Sequence, residues 1–179
     1  IRDMSRIKSK IGLSLFWFQI FVSLFYSAQS QNYDKQNDNQ IGSVAVNFSY
    51  MLDSESQTLY ELIENKGTNI LVLFHSPDCE LCAKTKKRLA KSKKINKLLD
   101  QGDLTLLAVA VETDKAKWEE SCKNLPDKWV NAYCEDCEAI IRSYIWTVPT
   151  LFLIGSDSKI IDREFKHNEK NNYNKRSEP

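Results

Sequence analysis

The chain has almost no net charge: 25 basic and 24 acidic residues over 179 positions leave +1. Nucleic-acid-binding domains usually carry a clear basic excess, so no nucleic-acid partner is expected. After residue 28 there is no apolar run long enough to span a bilayer, and there is no internal repeat. Trp118, Trp129 and Trp146 lack the spacing of a cofactor box, so they read as core or near-site packing, and no cofactor or metal is expected. What remains is ordinary for a globular protein, with 42% hydrophobic and 27% charged residues. The length suits one domain of about 100–150 residues plus extensions.

The N-terminus reads as a targeting segment. Arg2, Arg6, Lys8 and Lys10 precede an uncharged stretch from Ile11 to Ala28, and Ala28-Gln29-Ser30 offers small residues for cleavage before Gln31. This is the pattern of a secretory signal, with Met4 as the expected start. The alternative is an uncleaved anchor through residues 11–28, because 18 residues lie near the lower limit of a membrane span. Residues 31–179 then carry 21 basic and 23 acidic residues, net −2. All five cysteines (79, 82, 122, 134 and 137) fall in that exported part. An exported, periplasmic or otherwise extracytoplasmic location makes disulfide chemistry available, and the odd count leaves at least one thiol unpaired.

Residues 31–41 read as a flexible linker, 42–165 as the folded domain and 166–179 as a disordered tail. Within the domain, Ser43–Leu52 and Gln57–Ile63 suggest two strands, the second running into a helical turn. Ile70–Phe74 is a short buried strand. Ala83–Leu99 has the composition of one long helix, capped by Asp78, with Leu81, Leu89, Ile95 and Leu99 roughly along one face. A strand at Leu104–Val111, a helix after Asp114, a short strand at Trp129–Tyr133 and a helix over Glu135–Tyr144 follow. Thr150–Ile154 and Lys159–Arg163 form a closing hairpin. This order predicts an α/β fold with a central mixed sheet, helices on both faces and an N-terminal β extension.

The chemistry concentrates at Cys79-Glu80-Leu81-Cys82, between a buried strand and a helix start. Backbone N–H groups in a helix's first turn favour thiolate over thiol, which makes the first cysteine a usable nucleophile. Cys134-Glu135-Asp136-Cys137 repeats the spacing. Three readings apply: a second redox pair relaying electrons, a structural disulfide with or without Cys122, and a four-thiolate zinc site with the first pair. The local disulfide is preferred. The acidic neighbours do not favour thiolate, and the separation of the pairs is far beyond zinc-ribbon spacing. The lysines and arginine between Lys84 and Lys97 read mainly as a solvated helix face, with docking to an acidic protein or lipid head groups as the alternative.

Phe74-His75-Ser76-Pro77-Asp78-Cys79-Glu80-Leu81-Cys82, followed by Thr147-Val148-Pro149-Thr150, resembles the thioredoxin-fold superfamily. Within it, the exported thiol–disulfide oxidoreductase branch is nearest, with its cytochrome-maturation and peroxiredoxin-related members. The resemblance covers roughly residues 42–163. It implies a three-layer α/β/α fold in which Cys79 attacks a substrate disulfide and Cys82 resolves the mixed disulfide. Pro149 would be a cis-proline and Val148 would pair with an extended substrate. Implied partners are an exported disulfide-containing protein as substrate and a redox protein as electron donor.

Three positions depart from the family pattern. Leu73 stands where a buried acid often helps deprotonate the second cysteine, His75 where tryptophan is usual, and Leu81 where proline is common. His75 is therefore the candidate for proton transfer, against the plainer reading of a partly exposed loop residue. Glu80 would raise the Cys79 pKa, which favours the reducing half of the roughly −270 to −120 mV spanned by dithiol proteins. A thiol peroxidase is disfavoured, since Pro77 lies only two residues before Cys79. The reading from another class is a non-catalytic binding module whose cysteine pair is structural.

Overall fold

The computed structural model describes residues 32–164 except 112 and 124. The expected signal segment (1–30) and tail (166–179) lie outside the described residues. Among the described residues, no helix is long and apolar enough to cross a membrane.

The elements run β1 (Ser49–Leu52), β2 (Glu55–Thr58), α1 (Leu59–Lys66), β3 (Asn69–His75), α2 (Glu80–Lys91), α3 (Lys93–Gln101), β4 (Leu104–Ala110), α4 (Lys115–Cys122), β5 (Val130–Tyr133), α5 (Glu138–Ser143), β6 (Thr150–Ile154) and β7 (Ile160–Glu164). The strands form one mixed sheet in the order β2-β1-β5-β4-β3-β6-β7. Its centre, β3, β4 and β5, is parallel, and β1, β6 and β7 add antiparallel at the flanks.

Alternation along the central strands assigns the two faces. Ile70, Val72 and Phe74 of β3, with Leu107 and Val109 of β4, join Leu59, Leu62, Ile140 and Tyr144 from α1 and α5. Phe48, Phe74, Tyr144 and Phe152 interlock there, with ring centroids 5.0–6.3 Å apart. Leu73, Leu106 and Ala108 face the other way, against Leu89 of α2 and Ile95 and Leu99 of α3. Ala110 meets Trp118 of α4 and Tyr133 on the same side. Helices therefore cover both faces, which is the expected three-layer α/β/α arrangement.

Several local expectations are corrected. The strand expected to run into a helical turn does so, but the strand, β2, ends at Thr58 and the turn extends to a two-turn helix, α1. Thr58 Oγ1 accepts the Glu61 N–H and Glu61 accepts the Thr58 N–H, a reciprocal cap, and Gly67 closes the helix in the left-handed conformation. Strand β1 begins only at Ser49; Val44 makes a single bridge to Lys159. The long helix breaks at Ser92, whose extended backbone ends α2 and whose side chain caps α3. Leu81 does not join the buried face and is 44% exposed. Residues 33–41, expected within the linker, pack on the domain. Asn39 is buried, donates to the Ser143 carbonyl and accepts from the Val46 N–H. Lys35 lies over the Trp146 ring.

Candidate functional site

Strand β3 delivers the chain to the carboxyl edge of the parallel strands, and residues 76–79 turn it into α2. Cys79, not Asp78, is the N-cap. Its backbone is extended and its Sγ accepts the Cys82 N–H at 3.1 Å. Sulfur therefore occupies the place where a capping oxygen would satisfy an orphan donor. Asp78 is exposed instead and pairs across to Lys117 of α4 at 3.7 Å. Cys79 and Cys82 are disulfide-bonded, with Cα atoms 5.2 Å apart. Cys79 is half-buried and Cys82 has no exposure. A reagent from solution thus meets Cys79 first.

Beside the pair, the Val148–Pro149 peptide is cis, and the Val148 carbonyl oxygen lies 3.9 Å from Cys79 Sγ. The Thr150 hydroxyl donates to the Thr147 carbonyl at 2.5 Å and closes this loop on itself. Trp118 and Trp129 are core residues, but Trp146, three positions before Pro149, is 54% exposed. Glu80, expected to oppose a Cys79 thiolate, forms an ion pair with Lys84 at 2.6 Å that offsets its charge.

His75 is not a partly exposed loop residue. It ends β3 with 1% exposure, on the α2 side of the sheet, and its Nδ1 has no hydrogen-bond partner. Burial and the nearby Lys86 ammonium push its pKa down to about 3. At pH 7 a base this weak carries a proton in about one molecule in ten thousand, so neutral imidazole is the resting form. Lys86, one turn beyond Cys82, is half-buried, which lowers its own pKa. The Cys122 thiol is pushed up by burial and pulled back partly by the same ammonium. His75 and Cys122 thus both feel the Lys86 ammonium, and Leu73 is fully buried in the adjacent core. Sequence spacing alone did not single out Lys86; its place four residues after Cys82 was the available signal.

Cys134 and Cys137 are also bonded to each other, with Cα atoms 5.3 Å apart, and Cys122 is a free thiol. Cys134 is buried and its N–H donates to the Ala110 carbonyl. Cys137 opens α5 without a side-chain capping bond. Each pair closes on itself, and among the described residues no group of His, Cys, Asp or Glu is placed to hold a metal ion.

The family model for a thioredoxin-like domain matches residues 56–165. No curated protein matches the chain. Among solved structures, a thioredoxin-like protein of Bacteroides caccae shares 22% identity with a TM-score of 0.64, over 79% of this chain and 51% of its own length. The chain therefore spans about half of that relative. The thioredoxin domain of a Bacteroides vulgatus thiol-disulfide oxidoreductase shares 24% identity with a TM-score of 0.58, covering 76% and 96% of the two chains. A putative thiol:disulfide interchange protein of Chlorobium tepidum shares 16% with a TM-score of 0.59, covering 76% and 94%. At these identities the structures speak for the fold.

Proposed function

Since the chain belongs to the thioredoxin-like family, we propose that it is an exported thiol–disulfide oxidoreductase that reduces or isomerises disulfides in other exported proteins. The observation that carries this reading is the half-buried Cys79 sulfur at the N-cap of α2, with Cys82 sealed behind it and the Val148 carbonyl alongside.

In the reduced protein, the Cys79 thiolate attacks one sulfur of a substrate disulfide. A Cys79–substrate bond forms, and the other substrate sulfur leaves with the electron pair and takes a proton. Cys82 then loses its proton and attacks Cys79 Sγ. The Cys79–Cys82 bond closes and the second substrate sulfur leaves as thiolate, which takes up a proton in place of the one Cys82 released. The substrate gains two electrons and two protons, and a partner redox protein restores the dithiol. In this scheme Val148 and Pro149 seat an extended substrate segment. His75 stays neutral throughout and does not serve as a proton store. Residues 11–28 serve as the export signal or as a membrane tether.

Insulin reduction driven by a small dithiol tests the reading. Wild type should turn over and Cys79→Ser should fall to background; equal rates would overturn it. Retained activity in a Cys134→Ala/Cys137→Ala double variant would remove any relay through the second pair. N-terminal sequencing of the protein recovered from cells tests export, with Gln31 the expected first residue of a cleaved chain.

One observation favours a second reading, a non-catalytic thioredoxin-like binding module. Leu73 fills the core where an acid would assist Cys82. Partner binding that is identical in wild type and Cys79→Ser, with no turnover in either, would select it.

A further inference from the structure

The described residues divide sharply by charge. Residues 80–101, the α2–α3 pair, hold eight basic and two acidic residues, net +6. The rest of 32–164 holds nine basic and nineteen acidic residues, net −10. Near-neutrality of the whole chain conceals this separation.

The positive charge is gathered on one outward surface. Cys82, Thr85 and Leu89 of α2 face the sheet, as do Ile95 and Leu99 of α3. Lys84, Lys87, Arg88 and Lys91 recur three and four residues apart and are exposed, as are Lys93, Lys94 and Lys97. Both helices pack on the same face of the sheet, so both cationic stripes point away from it. Lys86 is not part of this surface, being half-buried toward His75. Lys84 is held by Glu80, but Lys87, Arg88, Lys91, Lys93, Lys94 and Lys97 have no ion pair among the described residues.

This arrangement works against the helices that bear it. Like charges at 84/88, 87/91 and 93/97 repel at i,i+4 spacing. Lys93 and Lys94 fill the first turn of α3, which holds no acid, so they oppose the helix dipole. Pairing within the domain does not offset these costs; an external negative surface would. We propose that the outward face of α2 and α3 docks on an anionic lipid surface.

The chemistry of the face favours lipid over protein. Six of its seven cations are lysines, point charges on flexible stems that adapt to a fluid array of head groups. Protein interface cores are depleted in lysine and enriched in aromatic and apolar anchors. Among the described residues, the exposed large apolar side chain of these helices is Leu81, at the start of α2 beside the dithiol. Docking lays α2, about 18 Å long, along the surface and keeps Cys79 within a helix length of it. Attraction of this kind decays over a Debye length of about 10 Å in ordinary salt.

The test is co-sedimentation of the full chain with phosphatidylcholine vesicles and with vesicles containing about 30% phosphatidylglycerol. Residues 1–28, with Arg2, Arg6, Lys8 and Lys10, are common to wild type and to the lysine variant below, so the difference in anionic preference between those two proteins is the readout. The expected preference for anionic vesicles is about tenfold or more at low salt. It should vanish at high salt and fall at least about fivefold in Lys87→Gln/Lys91→Gln/Lys94→Gln/Lys97→Gln, with insulin reduction unchanged; a variant that keeps the wild-type preference overturns the proposal. Equal partition of wild type into both vesicles overturns the proposal, as does a preference that survives high salt. Salt-sensitive binding to polyglutamate without a preference for anionic vesicles also overturns it and assigns the face to an acidic protein.

Discussion

Two Cys-x-x-Cys loops sit on the same edge of one sheet, one after β3 and one after β5, in register through His75, Ala110 and Tyr133. Their Cα separations are 5.2 and 5.3 Å, and each is closed. Everything around the sulfurs differs. In the first loop, the leading cysteine meets solvent and caps a twelve-residue helix. In the second, the leading cysteine is buried, and the trailing one opens a six-residue helix without capping it. Asp78 and Glu80 of the first loop are offset by Lys117 and Lys84. Glu135 and Asp136 of the second have no ion pair among the described residues. Spacing therefore encodes only a bond that can close. Reactivity comes from the helix behind the sulfur, from which sulfur water reaches, and from the charge beside it.

The largest expected difference between the loops is catalytic. Cys79→Ser should lower insulin reduction at least about a thousandfold, and Cys137→Ser should leave it within about twofold. Comparable losses in the two variants would erase the distinction.

The next effect is on pH stability and belongs to the first loop alone. His75 falls from 6.5 in the unfolded chain to about 3 in the fold, so between those values the unfolded chain binds the extra proton. Its contribution is complete above about pH 6.5 and is lost as pH falls toward about 3, with a slope up to about 1.4 kcal/mol per pH unit. Urea unfolding of His75→Leu across this window should show a flatter profile; an unchanged slope would contradict the burial argument.

The second loop should matter for stability rather than turnover. Opening it in Cys134→Ala/Cys137→Ala should cost about 2 kcal/mol, the loop-entropy value for so short a closure, read from urea midpoints. Smaller still, Glu135→Gln/Asp136→Asn should speed alkylation of reduced Cys137 about threefold at neutral pH, by relieving negative charge beside the thiolate. The smallest effect is Asp78→Ala, which breaks an exposed ion pair and should shift stability by less than about 0.5 kcal/mol.

Much of this was legible in the chain. The β3, β4 and β6 segments are short apolar runs between breakers, and the two dithiols and Pro149 stand out by spacing. The misses have physical causes. Helix α1 was announced by Thr58 and Glu61, a Thr-x-x-Glu cap, but strand and helix share the segment Gln57–Ile63, so the handover at Thr58 and the run on to Lys66 were missed. Helix-forming lysines on both sides hide the break at Ser92, where the decisive feature is a side-chain cap. Burial of His75 depends on which face the last residue of β3 presents and on α2 lying above it. Strand alternation gives the first; the second requires the tertiary packing. The same holds for Asn39, a polar residue in a polar stretch whose partners, Val46 and Ser143, come from separate parts of the chain.

The position of Cys79 as the cap of α2 carries one more consequence. Linkage is reciprocal: whatever the first turn of the helix contributes to a sulfur anion, the anion returns to the first turn. The redox state of the pair and the fraying of α2 then share one free energy. A reductant that releases Cys79 as thiolate strengthens the acceptor for the Cys82 N–H, and slower amide exchange there would report electron transfer from the backbone itself.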